Sequence, residues 1–454
     1  MVGCLGEQQR DSAPLPRLVA WWVLGMKVRL AYGKMGIEVA LPGDLSATVL
    51  KPRFAQELPD PGAAIAATLR KPIGCGPLAE MARGKKSAAI AVCDITRPAP
   101  NRVVLPHVTA ALEEGGIPRS GIQVLIAAGL HREATPSELE EIVGPEMLWR
   151  YEVDSHRARV EAEQRHLGRT KGGTEVYIDR RMADADLHIT LGFIEPHLMA
   201  GFSGGRKLLA PGLAGEKTIK RLHSPLFMRD ERSTEGCFPD NPLHRELLEI
   251  AAIARHDFMV DVALTRARGI AAVFAGEPVK THAAGVEFVR ESTLAAVGEP
   301  VDAVITTSGG YPLDLTYYQS IKGITAAGHI VKEGGTILLI APCPEGIGSP
   351  EFTKLVRSGK DWQTLLKDLE GAPVEVDQWQ AEKLAMVAQK ANLAFCVPGV
   401  APGDRKFLWG PSFDSPQEAV DSLAARLAPD ARVVVIPEGP YVFSQVAPVP
   451  LAAV

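Results

Sequence analysis

Four short segments concentrate side chains that can exchange protons, grip anions or form a covalent bond. In Cys93-Asp94-Ile95-Thr96-Arg97-Pro98, Arg97 offers a planar guanidinium fork suited to a carboxylate, and Asp94 can orient it. Taken singly, the same pair also reads as a loop salt bridge. In Ala127-Ala128-Gly129-Leu130-His131 the histidine can serve as a general base near neutral pH, or as a surface or helix-capping residue. The densest segment is Glu195-Pro196-His197-Leu198-Met199-Ala200-Gly201-Phe202-Ser203-Gly204-Gly205-Arg206-Lys207, followed by Arg221-Leu222-His223-Ser224. Glycines such as Gly204 and Gly205 let backbone N–H groups approach an anion closely. Lys207 stands beside Arg206, and a like charge disfavours the protonated amine, the condition that covalent attachment requires. His197 and His223 flank this loop, one as candidate base and one as candidate metal ligand. In Thr316-Tyr317-Tyr318-Gln319-Ser320-Ile321-Lys322, helical spacing puts Tyr318, Gln319 and Lys322 on one face, able to hold a carboxylate and a hydroxyl across a cleft.

These groups need strands and helices to position them. Ala88–Cys93, Val124–Ala128, Leu187–Gly192, Ala303–Thr307, Thr336–Ala341 and Val433–Ile436 are short continuous apolar runs separated by helical patterns, the signature of buried parallel strands. The fold class is therefore α/β, with mostly parallel sheets. In open sheets of this kind ligands collect beyond the carboxyl ends of the strands, where the polar segments fall. Thr135-Pro136-Ser137-Glu138 predicts a capping box opening a helix that runs to Val143 and stops at Gly144-Pro145. Asp314 is expected to cap a helix from Leu315, and another helix is expected over Pro278–Leu294. The Gly298-Glu299-Pro300 break sets a boundary between a domain over 26–297 and a second over 298–431, with 432–454 returning to the first domain. Residues 1–25 read as a tail outside the fold, because Leu18–Gly25 is far shorter than the roughly 20 apolar residues that span a bilayer and no A-x-A-like cleavage site follows.

Composition narrows the function classes. The 454 residues carry 49 Lys+Arg against 54 Asp+Glu, a net charge of −5 without long like-charge runs, which argues against a nucleic-acid partner. Six scattered cysteines without a C-x-x-C pair argue against a structural zinc or a disulfide framework and suit a reducing cytoplasm. Gly201-Phe202-Ser203-Gly204-Gly205 matches G-x-S-x-G, but the nearest expected strand ends about ten residues earlier, too far for a nucleophile elbow. The same loop fails the P-loop pattern, since Arg206 precedes Lys207 and Leu208 follows it. No G-x-G-x-x-G follows a strand, and no H-E-x-x-H spacing occurs. His107, His156, His166 and His329 read as structural.

Taken together, DITRP at Asp94–Pro98, GLH at Gly129–His131, HLMAGFSGGRK at His197–Lys207, RLHS at Arg221–Ser224 and YQSIK at Tyr318–Lys322 resemble the nickel-pincer lactate racemase family. The resemblance spans the chain from about Met26 to its end. It implies two α/β domains with the active site in the cleft between them. It implies that Lys207 holds a nickel-pincer nucleotide (the nickel complex of pyridinium-3,5-bisthiocarboxylic acid mononucleotide) through an amide-type bond, with His223 as the protein ligand to a square-planar metal. Gly204, Gly205 and Asp94 would line the cofactor. His131 and His197 would be the two acid/base residues, and Arg97, Gln319 and Lys322 would hold the substrate with Tyr318 and Asp94 in support.

The implied reaction inverts C2 of a small 2-hydroxy acid, lactate first among them, by reversible hydride transfer through a 2-keto acid. Removing hydrogen as hydride avoids placing a carbanion beside a carboxylate. Two bases are needed because the enantiomers direct their hydroxyls oppositely. Malate would need a further cation, for which Arg206 is a candidate; aromatic hydroxy acids and sugar acids stay open. The implied partners are the substrate and, transiently, the enzymes that build the cofactor, with no nucleic acid and no membrane. Two other readings stand beside this one: a serine hydrolase using Ser203, and a non-catalytic carrier of the nickel nucleotide.

Overall fold

A computed structural model of the chain describes residues 26–447 apart from 44, 51 and 54; the expected tail at 1–25 and residues 448–454 lie outside the described residues. Two six-stranded sheets form the scaffold. In chain order their strands are β1 Ser46–Val49, β2 Ala88–Cys93, β3 Ile122–Ala127, β4 Glu152–Ser155, β5 Leu187–Phe193, β6 Phe258–Leu264, β7 Ile270–Gly276, β8 Val301–Thr307, β9 Val331–Ile340, β10 Asn392–Cys396, β11 Ser412–Phe413 and β12 Arg432–Ile436. The first sheet has the order β7-β6-β5-β2-β3-β4 and is parallel except for the β6/β7 pair. The second has the order β11-β10-β9-β8-β12-β1 and is parallel throughout. β2 and β5 are buried at every position, which is why their sequences are continuous apolar runs rather than alternating ones.

Strand order determines where a site can form. From β2 the chain steps outward through β3 to β4, then returns to the other side of β2 as β5. The crevice beyond the ends of β2 and β5 is thus a topological switch point, the preferred ligand position in such sheets. The second sheet has its own switch point between β8 and β12. The segments after β2, β3 and β5 carry Arg97, His131 and His197. The segment after β8 leads into the helix Tyr317–Gly328, which carries Gln319 and Lys322.

Several local expectations hold. The helix Pro136–Val143 has the reciprocal capping box at Thr135 and Glu138, an arrangement worth about 1 kcal/mol. The helix expected over Pro278–Leu294 runs Pro278–Thr293. The helix expected from Leu315 instead begins at Tyr317, capped by Thr316, whose hydroxyl accepts from the Gln319 N–H at 3.3 Å. Asp314 turns away to accept from the Gly33 backbone N–H. Gly323 lets this helix sit close to β8, because a Cβ there would meet the Thr307 carbonyl oxygen at 2.0 Å.

Two segments lie elsewhere than their sequence suggests. Residues 27–49, grouped with the first domain in sequence, join the second half: β1 pairs with β12, and the Lys27–Leu30/Ile37–Ala40 hairpin packs Val28, Leu30 and Val39 against Ile305 and Leu338. The segment from 432, expected to return to the first domain, places β12 inside the second sheet between β8 and β1. A four- or five-residue apolar run is compatible with either sheet, and only its partners decide between them. The last described strand, Phe443–Val446, pairs with Leu294–Val297 where the chain passes between the halves.

Candidate active site

At the end of β3, His131 directs Nδ1 at the Asp94 carboxylate, 2.7 Å away. With Nδ1–H donating to Asp94, the Nε2 lone pair is free, the tautomer a base requires. The other Asp94 oxygen accepts from the Thr96 hydroxyl at 2.7 Å, and Arg97 donates to that hydroxyl at 3.2 Å. Asp94 therefore orients His131 directly and reaches Arg97 only through Thr96. Burial works to raise the Asp94 carboxyl, but the hydrogen bond and charge of His131, with Arg97, outweigh it and hold it below the ordinary carboxylate range.

His197 comes from a two-residue ladder in which Pro196 and His197 pair with Phe202 and Gly201. Its Nδ1 accepts from the Met199 and Ala200 backbone N–H groups at 3.3 and 3.2 Å, so the neutral ring carries its proton at Nε2, the tautomer opposite to that of His131. Desolvation, then the charges of Lys207, Lys322 and Arg97, hold its pKa well below the ordinary histidine value.

The glycine-rich loop beyond it is built from beneath. Gly204 has φ +88°, and a Cβ there would lie 2.1 Å from an Asp261 oxygen, so only glycine fits. Asp261 accepts from the Gly205 N–H at 2.8 Å, so that amide serves the scaffold rather than a ligand, contrary to the expected anion cradle. Arg206 is only 2% exposed; it donates to the carbonyls of Gly204, Phe202 and Ala200 at 3.1, 3.0 and 3.3 Å and meets His282 Nε2. It is a structural cation and unavailable to a second substrate carboxylate. Lys207, next in sequence, turns into the cleft. Desolvation is the main reason its pKa falls well below the usual lysine value, followed by the charges of Arg97 and Arg206.

His223 ends the helix Glu216–Leu222, and its Nδ1–H donates to the Ile219 carbonyl at 2.8 Å. That bond fixes the tautomer with Nε2 free, and burial lowers the ring's pKa to about 4, so the imidazole is neutral and competent as a metal ligand. Trp379 packs on the ring with centroids 4.4 Å apart and donates its indole N–H to the Tyr318 hydroxyl at 3.2 Å. Among the described residues no three His, Cys, Asp or Glu side chains converge to hold a metal, so a metal at His223 would take its other donors from a bound group.

From the second half, Tyr318, Gln319 and Lys322 project from the first turns of the helix Tyr317–Gly328, whose positive dipole end favours an anion. Gln319 Oε1 is buried and without a hydrogen-bond partner, so this amide is open to a ligand in the cleft. Burial, then Arg97, lowers Lys322 to a pKa of about 7. Tyr318 is held by Trp379 and Asp377, and burial first, then Asp377, pushes its phenol well above the ordinary value. Asp94, Arg97, His131, His197, Gly204, Lys207, His223, Tyr318, Gln319 and Lys322 all line one cavity of about 400 Å³ between the two sheets. Gly205 does not face it.

Trp379 and Asp377 carry no sequence signal: they lie on a polar stretch far from every motif and reach the cleft only through packing. Ser203, the apparent nucleophile, donates its hydroxyl to the Phe193 carbonyl at 2.9 Å and accepts from the Glu195 N–H at 2.9 Å, so no base activates it. His156 and His329 are scaffold residues, paired with Asp179 and Glu235 at 2.8 Å each.

The two halves are strapped together beside the cleft. Lys383 donates to the Met228 and Ser233 carbonyls at 2.7 Å each, and Glu235 receives Thr325 and His329 from the helix that carries Lys322.

Comparison with known proteins bears on this geometry. A family model described as the lactate racemase N-terminal domain matches residues 32–236, and one described as the lactate racemase C-terminal domain matches 297–444. A lactate racemase of Lactiplantibacillus plantarum is 34% identical over 376 residues, covering 82% of this chain and 88% of that protein. One from Thermoanaerobacterium thermosaccharolyticum is 33% identical over 369 residues, covering 79% and 85%. The solved lactate racemase apoprotein of the latter organism superimposes with a TM-score of 0.87 at 30% identity, covering 92% of this chain and all of that one. A Thermotoga maritima protein shares the fold alone, with a TM-score of 0.65 at 17% identity.

Proposed function

The chain belongs to the lactate racemase family, and from that premise we propose that it interconverts the enantiomers of a short 2-hydroxy acid, lactate first, in the cleft between its two sheets. The enzyme is an isomerase. The observation that carries the site assignment is a matched pair of fixed tautomers: His131 held by Asp94 and His223 held by Ile219 both leave Nε2 free in the cleft that Lys207 enters.

The residues fit the nickel-pincer nucleotide. A lysine amine held well below its usual pKa by burial suits an amide-type attachment, and a neutral imidazole suits one position of a square-planar metal. Lys207 would hold the cofactor and His223 would ligate nickel; when bound, the cofactor supplies a hydride acceptor for C2. The substrate carboxylate is gripped by Arg97 and Lys322 at a helix N-terminus, and the Gln319 amide NH2 donates to its hydroxyl oxygen, which leaves the single hydroxyl proton to the histidines. His131 takes the hydroxyl proton of one enantiomer, while on the opposite side His197 presents Nε2–H as the proton donor and takes a proton there only with Nδ1 released from the Met199 and Ala200 amides. Tyr318 and Trp379 hold the gripping helix and His223 in register across the cleft. We take residues 27–49 with 298–447 as the substrate-gripping half and the rest of the described chain as the cofactor half. Scattered free cysteines and the absence of any described helix able to cross a membrane support a cytoplasmic setting, where the cofactor-building enzymes would be transient partners.

Intact-protein mass spectrometry tests this reading on protein co-produced with those enzymes. A nickel-bearing adduct that disappears in Lys207→Ala, with enantiopure lactate converted to racemate, is the expected result. An adduct without racemisation of any 2-hydroxy acid would make the chain a cofactor carrier. No adduct on protein exposed to mature cofactor would remove the chemical basis of the assignment.

A further inference from the structure

A second, smaller cavity opens behind the point where the substrate is gripped. Arg97, His197, Leu198 and Lys322 line both it and the main cleft, so the two spaces meet at the grip. Lys207 and His223 line the main cleft only, which leaves this rear chamber outside the space the cofactor would take. Its walls bring together Pro98 after β2, Pro196 beside His197, and Pro312, Leu313 and Pro440 from the other half. A proline ring fixes its own backbone torsion and has no rotamers through which to swing aside, so four of them make walls of nearly fixed shape. The chamber offers about 40 Å³ to the centres of water-sized groups. One such group needs roughly 10–15 Å³ by that measure, so about two or three fit.

A racemase must seat the same substituent twice. With the carboxylate held by Arg97 and Lys322, turning the 2-keto acid about C1–C2 exchanges the positions of its oxygen and C3. The enantiomer whose hydroxyl meets His131 therefore directs C3 toward His197, and its mirror image does the reverse. The His131 side is open, with half of that side chain exposed. On the other side His197 and Leu198 form the wall, and the rear chamber is the space they border besides the main cleft. Every turnover passes through both poses, so the tighter side sets the limit in either direction.

We propose that the rear chamber seats the C3 substituent and restricts the substrates to 2-hydroxy acids with an uncharged side chain of about three heavy atoms at most, with Leu313 as a wall residue that sets the limit. This rests on the racemase reading above. The methyl of lactate and the ethyl of 2-hydroxybutyrate fit, whereas a benzyl group is too large. The second carboxylate of malate would meet Glu195 and Glu235, which both line the chamber. Glu235 is fixed there by Thr325 and His329. The cations bordering the chamber, Arg97 and Lys322, already hold the first carboxylate, and Arg206 is engaged by backbone carbonyls. Leu313 is half-buried and belongs neither to the grip nor to the histidine mounts, so it is the wall that can be changed without disturbing them.

The test measures kcat/KM for racemisation of lactate, 2-hydroxybutyrate, 2-hydroxyhexanoate, phenyllactate and malate by wild type, Leu313→Ala and Leu313→Phe as holoenzymes. What is read is the ratio between two substrates on one preparation, which does not depend on the fraction folded or loaded with cofactor. In wild type, 2-hydroxybutyrate should lie within about tenfold of lactate, and the other three about 100-fold or more below it, the scale of a group that a pocket does not admit. Leu313→Ala should raise 2-hydroxyhexanoate relative to lactate by about tenfold, and Leu313→Phe should lower 2-hydroxybutyrate relative to lactate by a similar factor. Phenyllactate or malate turned over as fast as lactate overturns the proposal, and so do ratios that neither Leu313 variant moves. Cofactor-loaded wild type that racemises no 2-hydroxy acid overturns the racemase reading instead.

Discussion

His131 stands half exposed at the end of β3 with a carboxylate against one ring nitrogen, whereas His197 lies deeper in a tight loop with two backbone amides against the same nitrogen and no carboxylate there. The two rings are assigned mirror tasks on opposite faces of one small substrate, yet they are oriented by different means. A ring near solvent is free to rotate, so a charged partner is needed to select its tautomer, and Asp94 supplies it. A ring inside a loop is held by the loop itself, but the surrounding cations and lost hydration disfavour its protonated form. Chemical equivalence of two bases therefore does not require structural equivalence.

Substitutions can break or sharpen that contrast. The largest effect is expected where the two sides share a requirement: Lys207→Ala should abolish both the mass adduct and racemisation, and residual turnover would show that the attachment is dispensable. Next, His131→Ala and His197→Ala should each lower racemisation roughly 10²–10⁴-fold. Added imidazole should restore the first variant more than the second, because only the His131 position opens directly to water; equal rescue would erase the distinction drawn here. Asp94→Asn should cost about 10–100-fold, the range for outer partners that orient a working imidazole, with occupancy unchanged. An effect as large as that of His131→Ala would mean that Asp94 does more than orient.

The smallest effect on rate, and a clear one on stability, belongs to a carboxylate–histidine pair outside the cleft. His156 is fully buried between Asp179 at 2.8 Å and the Ala214 carbonyl at 2.9 Å, so both ring nitrogens face acceptors. Burial alone would raise the Asp179 carboxyl, but His156 and Arg181 outweigh it and hold it far below the ordinary range. A carboxyl whose folded pKa is depressed contributes stability above its unfolded value, near 4, and loses that contribution as pH falls toward the folded value. Asp179→Asn should lower stability at neutral pH by about 3 kcal/mol, as when one partner of a buried pair is removed. It should also flatten the acid side of the stability profile, as read by thermal unfolding between about pH 5 and pH 2. An unchanged acid limb would assign acid sensitivity elsewhere.

Much of the architecture was legible because it rests on local rules. Continuous apolar runs mark strands buried on both faces, and Thr135 with Glu138 marks a helix start, since the physics of each is contained within a few residues. Arg97, His131, His197, Lys207, His223, Gln319 and Lys322 were legible as candidates because unusual polar residues follow those runs. Gly205 was misread, since an anion cradle and a scaffold turn share the same glycine signal and only Asp261, more than fifty residues away in sequence, tells them apart. Arg206 was misread for the same reason: a cation in a loop looks available until the carbonyls around it are known.

The sequence by itself determined the fold class, the polar segments at strand ends and the chemical types gathered there, because periodicity and side-chain chemistry are properties of the chain. Only the tertiary structure decided which sheet takes Ser46–Val49 and Arg432–Ile436, which nitrogen each histidine leaves free, and that Trp379 braces both His223 and Tyr318. The sheet partners, the Asp94–His131 bond and the Trp379 contacts depend on residues distant in sequence. His197 and His223, by contrast, are fixed by neighbours two to four residues away, in a geometry that only the folded loop and helix end create. Desolvation is equally a property of the assembled cleft: it pushes Lys207 well below the usual lysine value and His223 to about 4, and no spacing of residues along the chain states how much water the fold will exclude.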